Sequence, residues 1–391
     1  MDTMVKDDVL TNDMLQGFAK RVGLYDRENR FFKEDFDVLR EAGYLTANVP
    51  EELGGRGHTL AQTARLQRRL AYHAPATALG INMHVYWVGV AADLWRSGDK
   101  SLEWMLREAI AGEVFAAGHS ERGNDLPLLL STTKAEKVEG GFRFTGHKMF
   151  GSLAPVWTRY GLHGLWADGE GGPKIVHGFL PRDAKGYKIV ETWDTLGMRA
   201  TRSDDVMLEG AVVPDKYIAR IVPAGGADLF VLAIFAWALL GFGNVYYGMS
   251  ERAAELATAA VKGKTSVAVT RTMAYHPEIQ HAMAELMLAL APVGPHLEQV
   301  ARDWSEGVDH GATWPSKIVS AKHHAVEACW KIVDIAMELS GGAGMFRGSE
   351  LERLFRDARC GRFHPANPAL VHEIVAKTAL GIDLGEQPRW G

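Results

Sequence analysis

The sequence predicts an α+β fold in three consecutive parts: helical over residues 1–114, β-rich over residues 115–222 and helical again over residues 223–391. Two observations carry that prediction. Residues 132–145 alternate polar and apolar side chains around Gly140-Gly141, the pattern of a β-hairpin. On either side of this block, apolar residues recur at helical spacing.

The first helical part is read from its stripes and its stops. Residues 34–42 place Phe36, Val38, Leu39 and Ala42 on one face, and Gly43 ends the run. Val49-Pro-Glu-Glu-Leu-Gly-Gly-Arg-Gly57 is a loop by its glycine and proline content. Residues 60–71 form the next helix, with Leu60, Ala64, Leu66 and Leu70 aligned. Residues 78–95 are nearly all apolar and predict a buried helix, with His84 in its first half. The β block follows the hairpin with strands expected at residues 174–180, 187–191 and 205–208. A glycine-rich turn at Gly169 to Gly172, with Pro173, precedes the first of them, and Val212-Val-Pro214 closes the block. Long helices then return at residues 228–262, 277–308, 315–339 and 368–380. Four such helices with polar connections predict an antiparallel bundle.

Composition narrows the function. The net charge is -5 and no basic tract is present, which argues against nucleic acid as a partner. Cys329 and Cys360 cannot make a disulfide framework, and a reducing cytoplasm fits them. The stretch Met1-Asp-Thr-Met-Val-Lys-Asp-Asp8 lacks the apolar core of a signal peptide. The longest apolar run, residues 229–242, falls short of the roughly 20 residues of a membrane span and reads as a core helix.

Two stretches carry the chemistry. One is Ala117-Gly-His-Ser-Glu-Arg-Gly-Asn-Asp125, the other Gly146-His-Lys-Met-Phe-Gly-Ser152. Leu196-Gly-Met-Arg199, Val213-Pro214, Gly341-Gly-Ala-Gly344 and Arg353-Leu-Phe-Arg-Asp-Ala358 follow in order. In this order and spacing the motifs resemble those of the acyl-CoA dehydrogenase superfamily of flavoproteins. The resemblance implies an N-terminal helical domain, a middle β-barrel domain and a C-terminal four-helix domain. It also implies FAD as cofactor, an acyl-CoA or other small hydrophobic substrate, and a homo-oligomer, either dimer or tetramer. A flavin ring needs hydrogen-bonding groups along its edge and an aromatic wall against solvent. Ser120 and Ser152 can supply the hydroxyls and Phe150 the wall; in the family, the hydroxyl matching Ser152 faces flavin N5.

Glycine-rich segments elsewhere are read with care. Gly341 to Gly348 follows a helical run, so it is a turn at a helix C-terminus and no dinucleotide fingerprint. The resemblance lets the backbone at Gly341 and Gly342 approach the pyrophosphate of FAD on a neighbouring subunit. It places Lys264 near that diphosphate and Asn367 in the cofactor site. Val261-Lys-Gly-Lys-Thr265 lacks the first glycine of a P-loop. His323, His324, Glu327, His372 and Glu373 read as helix-surface residues, and no metal site is expected.

The catalytic base departs from the pattern. Dehydrogenases of the family abstract an α-proton with a glutamate, and Pro365 stands at the matching position. The alternative place, residues 231–240, holds no acid and no arginine. Two histidines are the substitutes: His364, next to the vacant position, and His84. Histidines at matching positions, with a serine matching Ser152, also resemble reduced-flavin-dependent monooxygenases of the same fold, for which FMN is a possible cofactor. The expected function is an FAD-dependent oxidoreductase with His364 as an atypical base. The alternatives are a two-component flavin monooxygenase and a flavin-binding subunit that needs a paralogous partner chain.

Overall fold

The computed structural model describes residues 9–386. The N-terminal helices are α1 (Asn12–Arg27), α2 (Lys33–Glu41), α3 (Leu60–His73), α4 (Pro75–Arg96) and α5 (Glu103–Ile110). Their starts are locally encoded. The Thr59 hydroxyl accepts a hydrogen bond from the Gln62 N–H while the Gln62 side-chain oxygen accepts one from the Thr59 N–H, a capping box for α3. Pro75 opens α4, where its missing N–H leaves no bond unmade. The α4 helix is buried nearly all round, as its unbroken apolar sequence predicts.

Eight strands follow: β1 (Phe115–Gly118), β2 (Lys134–Val138), β3 (Gly141–Gly151), β4 (Arg159–Trp166), β5 (Lys174–Pro181), β6 (Tyr187–Val190), β7 (Asp204–Pro214) and β8 (Ile218–Pro223). They form one sheet in the order β6-β7-β3-β2-β4-β5-β8, with β1 parallel to β4. The expected hairpin is β2–β3: Val138 pairs with Gly141, and Gly140 turns the chain at φ 74°. The sheet curls until Gly178 of β5 lies against Val213 of β7. No ladder joins the edge strands β6 and β8 among the described residues, so the expected barrel is not closed by hydrogen bonds.

The C-terminal helices are α6 (Leu229–Gly263), α7 (Pro277–Leu290), α8 (Val293–Ser305), α9 (Trp314–Ser340), α10 (Glu350–Cys360) and α11 (Pro368–Leu380). The single helix expected over residues 277–308 is two, α7 and α8. Pro292 has no N–H to give to a preceding carbonyl and breaks the run. Helix α6 packs against α3, α4 and α9 and is the core of the molecule. It is long and apolar enough to cross a membrane, yet 83% of its most apolar window is buried within the fold.

Candidate active site

A cavity of about 320 Å³ opens between the sheet, α4 and α6. Ser120, Phe150, Ser152 and His364, far apart in sequence, all border it. The first three are joined by one isolated bridge. Met149 N–H donates to the Ser120 carbonyl at 2.9 Å, which sets the two motif stretches side by side. Phe150 then sits at φ 60°, a conformation that side chains rarely adopt. Its ring meets Trp193 edge-on at 5.9 Å, and the two aromatics wall the mouth. Leu128 and Met198, also lining the cavity, share the positive φ. Such backbone conformations tend to gather at functional sites.

A buried ion pair fixes the Ser120 segment. Lys148 Nζ lies 2.6 Å from a Glu121 carboxylate oxygen, and neither side chain is exposed. Asn124, Ser131 and the backbone N–H groups of Thr132 and Thr133 donate to the same carboxylate at 2.8–3.0 Å. Burial alone would raise Glu121. The neighbouring ammonium and the other donors outweigh it and hold the carboxyl at about 2.

Three hydroxyls along the cavity form a chain. Ser152 Oγ lies 2.7 Å from Ser203 Oγ, Ser203 Oγ lies 2.7 Å from Thr201 Oγ1, and Thr201 donates to the Met198 carbonyl at 2.9 Å. All three hydroxyl residues border the cavity.

His364 stacks on Phe242, with ring centroids 4.8 Å apart and planes at 16°. Its Nε2 is 2.7 Å from the Tyr246 hydroxyl. Burial, helped by the nearby Lys322 ammonium, pushes the imidazole down to about 3. Burial also pushes the Tyr246 phenol well above its ordinary value, so it keeps its proton. The phenol and the neutral imidazole share this one hydrogen bond, and the imidazole tautomer sets its direction. His364, expected as the base, thus borders the cavity as a neutral imidazole whose Nε2 is engaged by Tyr246.

His84 stands apart from the cavity. It is fully buried and does not border the cavity. Its Nε2 bonds to the Leu45 carbonyl at 2.9 Å and its Nδ1 accepts the Phe115 N–H at 3.0 Å. Helical spacing explains the difference. Leu79, Met83 and Tyr86 share the cavity face of α4, and His84 lies a 100° step round from Met83. Its role is to tie α4 to the start of the sheet.

The other expected cofactor residues lie elsewhere. Asn367 caps α11 by accepting the Leu370 N–H at 3.0 Å. Lys264 caps α6, and its Nζ rests against the turn at Gly341; a Cβ there would sit 2.6 Å from it. Gly342 is open on the same turn. Lys264, Gly341 and Gly342 thus come together, away from the cavity lining. Glu327, weighed above as a metal-ligand position, is instead ion-paired with Arg362.

No Asp, Glu, Lys or Arg borders the cavity among the described residues, and Pro365 does. Sequence reasoning missed Trp193, Thr201, Ser203 and Tyr246. Trp193 precedes the Leu196-Gly-Met-Arg199 motif and Thr201 and Ser203 follow it, outside the residues that carry the pattern, and Tyr246 lies inside an apolar helix, where it reads as core.

Residues 11–103 match the family described as acyl-CoA dehydrogenase, N-terminal domain, and residues 240–368 match acyl-CoA dehydrogenase, C-terminal domain. Together these cover more than half of the chain. The chain belongs to the acyl-CoA dehydrogenase family. Its fold is that of the acyl-CoA dehydrogenases: a helical part, a sheet and a second helical part. It is similar to the amino sugar nitrososynthase DnmZ of Streptomyces peucetius, 30% identical over 370 residues, covering 91% of this chain and 88% of that protein. The putative acyl-CoA dehydrogenase YdbM of Bacillus subtilis (strain 168) is 26% identical over 359 residues, with 90% and 91% covered. The structure of KijD3 in complex with FMN and dTDP-3-amino-2,3,6-trideoxy-4-keto-3-methyl-D-glucose superposes with a TM-score of 0.84 at 25% identity, covering 95% of this chain and 92% of that one. This family member is an acyl-CoA dehydrogenase-fold flavoprotein within a family of flavin-dependent enzymes.

The cavity fits a flavin ring. Its volume is in the range of cofactor sites, its walls are apolar, and hydroxyls cluster at its edge.

Proposed function

We propose that this protein is a reduced-flavin-dependent monooxygenase that oxygenates an amine. One observation carries the reading. The cavity offers the imidazoles of His119 and His364 and several hydroxyls but no carboxylate, and burial makes both imidazoles weak bases. A dehydrogenase must remove an α-proton and needs a base poised there. An oxygenase needs donors and a closed, dry pocket. When bound, reduced flavin supplies the electrons that activate dioxygen. Ser120 and Ser152 orient the ring, and Phe150 with Trp193 shields its mouth. His364 is held in place by the Tyr246 hydroxyl, while Met83, Tyr86 and Phe235 exclude water. Without a carboxylate to pair with an ammonium, the cavity favours the neutral, nucleophilic amine. The likeness to an amino sugar nitrososynthase and to the sugar-nucleotide complex of KijD3 supports an amine substrate.

We propose a homo-oligomer as the working state. Leu196 and Phe363 border the cavity, yet they are 57% and 69% exposed in the single chain. The protein requires a separate source of reduced flavin, either FMN or FAD.

The test sets the two chemistries against each other. Oxidised flavin on the protein is first mixed with a panel of acyl-CoAs without oxygen. Reduced flavin, oxygen and a panel of primary amines, amino sugar nucleotides included, are then supplied, and products are read by mass. We expect no bleaching in the first arm and a product heavier by one oxygen in the second. Bleaching by an acyl-CoA would overturn the proposal in favour of a dehydrogenase. Silence in both arms would overturn it in favour of a subunit that needs a partner.

A further inference from the structure

The hydroxyl chain Ser152–Ser203–Thr201 has a fixed direction, and that direction gives the cavity a preference. The chain has three oxygen–oxygen contacts of 2.7–2.9 Å, counting the one to the Met198 carbonyl. Each contact needs one hydrogen between its oxygens, since an empty contact at that distance is repulsive. Three hydroxyls supply three hydrogens and the carbonyl supplies none. Only one arrangement satisfies all three. Thr201 donates to Met198, Ser203 donates to Thr201, and Ser152 donates to Ser203. Ser152 therefore has no hydrogen left to give. It borders the cavity as an acceptor only, and it alone of the three accepts no bond within the chain.

This bears on redox state. A flavin N5 is a bare acceptor when oxidised and an N–H donor when reduced. An acceptor facing it repels the first form and bonds the second. We infer that the Ser152–Ser203–Thr201 chain makes the site selective for reduced flavin, by holding the Ser152 hydroxyl as a hydrogen-bond acceptor toward the cofactor. The inference rests on the flavin reading above. It assigns Ser203 and Thr201 as positioning residues that act through Ser152.

The test is binding, independent of turnover. Dissociation constants of oxidised and dithionite-reduced FMN and FAD are measured anaerobically by tryptophan fluorescence, for the whole protein and for Thr201→Val and Ser203→Ala. Wild type should bind the reduced form more tightly. In Thr201→Val, Ser203 loses its acceptor and turns its hydrogen to Ser152. In Ser203→Ala, Ser152 loses its acceptor. Either change frees Ser152 to donate into the cavity. The ratio of oxidised to reduced dissociation constants should fall by about fivefold to tenfold, the worth of one hydrogen bond. A tenfold change corresponds to about 30 mV in the two-electron midpoint potential, a second readout. A ratio unchanged within twofold in whichever variant folds and binds flavin would overturn the chain's role while leaving the flavin site standing. Failure of the wild type to bind either form would remove the flavin reading, and this inference with it.

Discussion

Replacing Lys148 with methionine isolates the ion pair beneath the cavity. Methionine keeps most of the aliphatic stem and removes the ammonium. Glu121 would be left with four donors: Asn124, Ser131 and the N–H groups of Thr132 and Thr133. The lost partner is the shortest contact, at 2.6 Å, and both side chains are fully shielded from water. Solvent cannot take over the charge, so the discount for exposed pairs does not apply. Removing one member of such a pair costs about 3–5 kcal/mol, because the other charge stays buried. The remaining four bonds place the expectation at the lower end, about 3 kcal/mol. The assay is equilibrium denaturation of wild type, Lys148→Met, Glu121→Gln and the double variant. The double variant should be less destabilised than the sum of the singles, because the pair is coupled. Flavin affinity should fall alongside stability, since Glu121 adjoins Ser120. A loss below about 1 kcal/mol, or strict additivity, would refute the reasoning.

His364→Ala should abolish oxygenation of whichever amine the panel identifies, by about 100-fold or more, with flavin binding kept; unchanged turnover would remove His364 from the mechanism. Tyr246→Phe should slow the reaction less, because the imidazole survives but is no longer held by the hydroxyl, and a loss as deep as that of His364→Ala would show that the phenol acts on its own account. Five histidines, His84, His119, His163, His177 and His364, are held neutral by burial, with His84 at about 4 and His177 and His364 at about 3. Each binds a proton more readily unfolded, near pH 6.5, than folded, so their stabilisation is complete above that pH and is lost as pH falls toward 4; a melting temperature that is flat between pH 7 and pH 5 would contradict this. Gly118→Ala would place a Cβ 2.0 Å from the Tyr160 hydroxyl, so it should destabilise by about 1–3 kcal/mol, and an unaffected denaturation midpoint would show that β1 and β4 can part freely.

The layout of helices and sheet was legible because each long helix carries either a stripe or an unbroken apolar run. Strands β1, β4 and β8 were not read. β1 is four buried residues with no polar alternation, and the middle of β4 is likewise buried on both faces, so neither shows a period of two. The split at Pro292 was written in the sequence and was outweighed by the apolar pattern on both sides. Ser120, Phe150 and Ser152 could be picked out because they sit in compact motifs. His364 was found by position, but its protonation was not, since that depends on burial and on Lys322, distant in sequence. The place of His84 was not legible, because its neighbours Met83 and Tyr86 border the cavity and it does not. The direction of the hydroxyl chain has no local signature at all; it exists only once β3 and β7 are paired.

Helix α6 has a further consequence. Phe242 borders the cavity and Lys264 ends the helix beside Gly341. Twenty-two residues at 1.5 Å each separate them by about 33 Å. One chain therefore holds a ring pocket at one end of a rigid rod and a cationic, glycine-lined turn at the other. Should both ends serve one cofactor, the turn must come from a second copy. Cofactor affinity would then obey mass action in the protein itself: dilution would loosen the flavin, and the flavin would in turn hold the copies together.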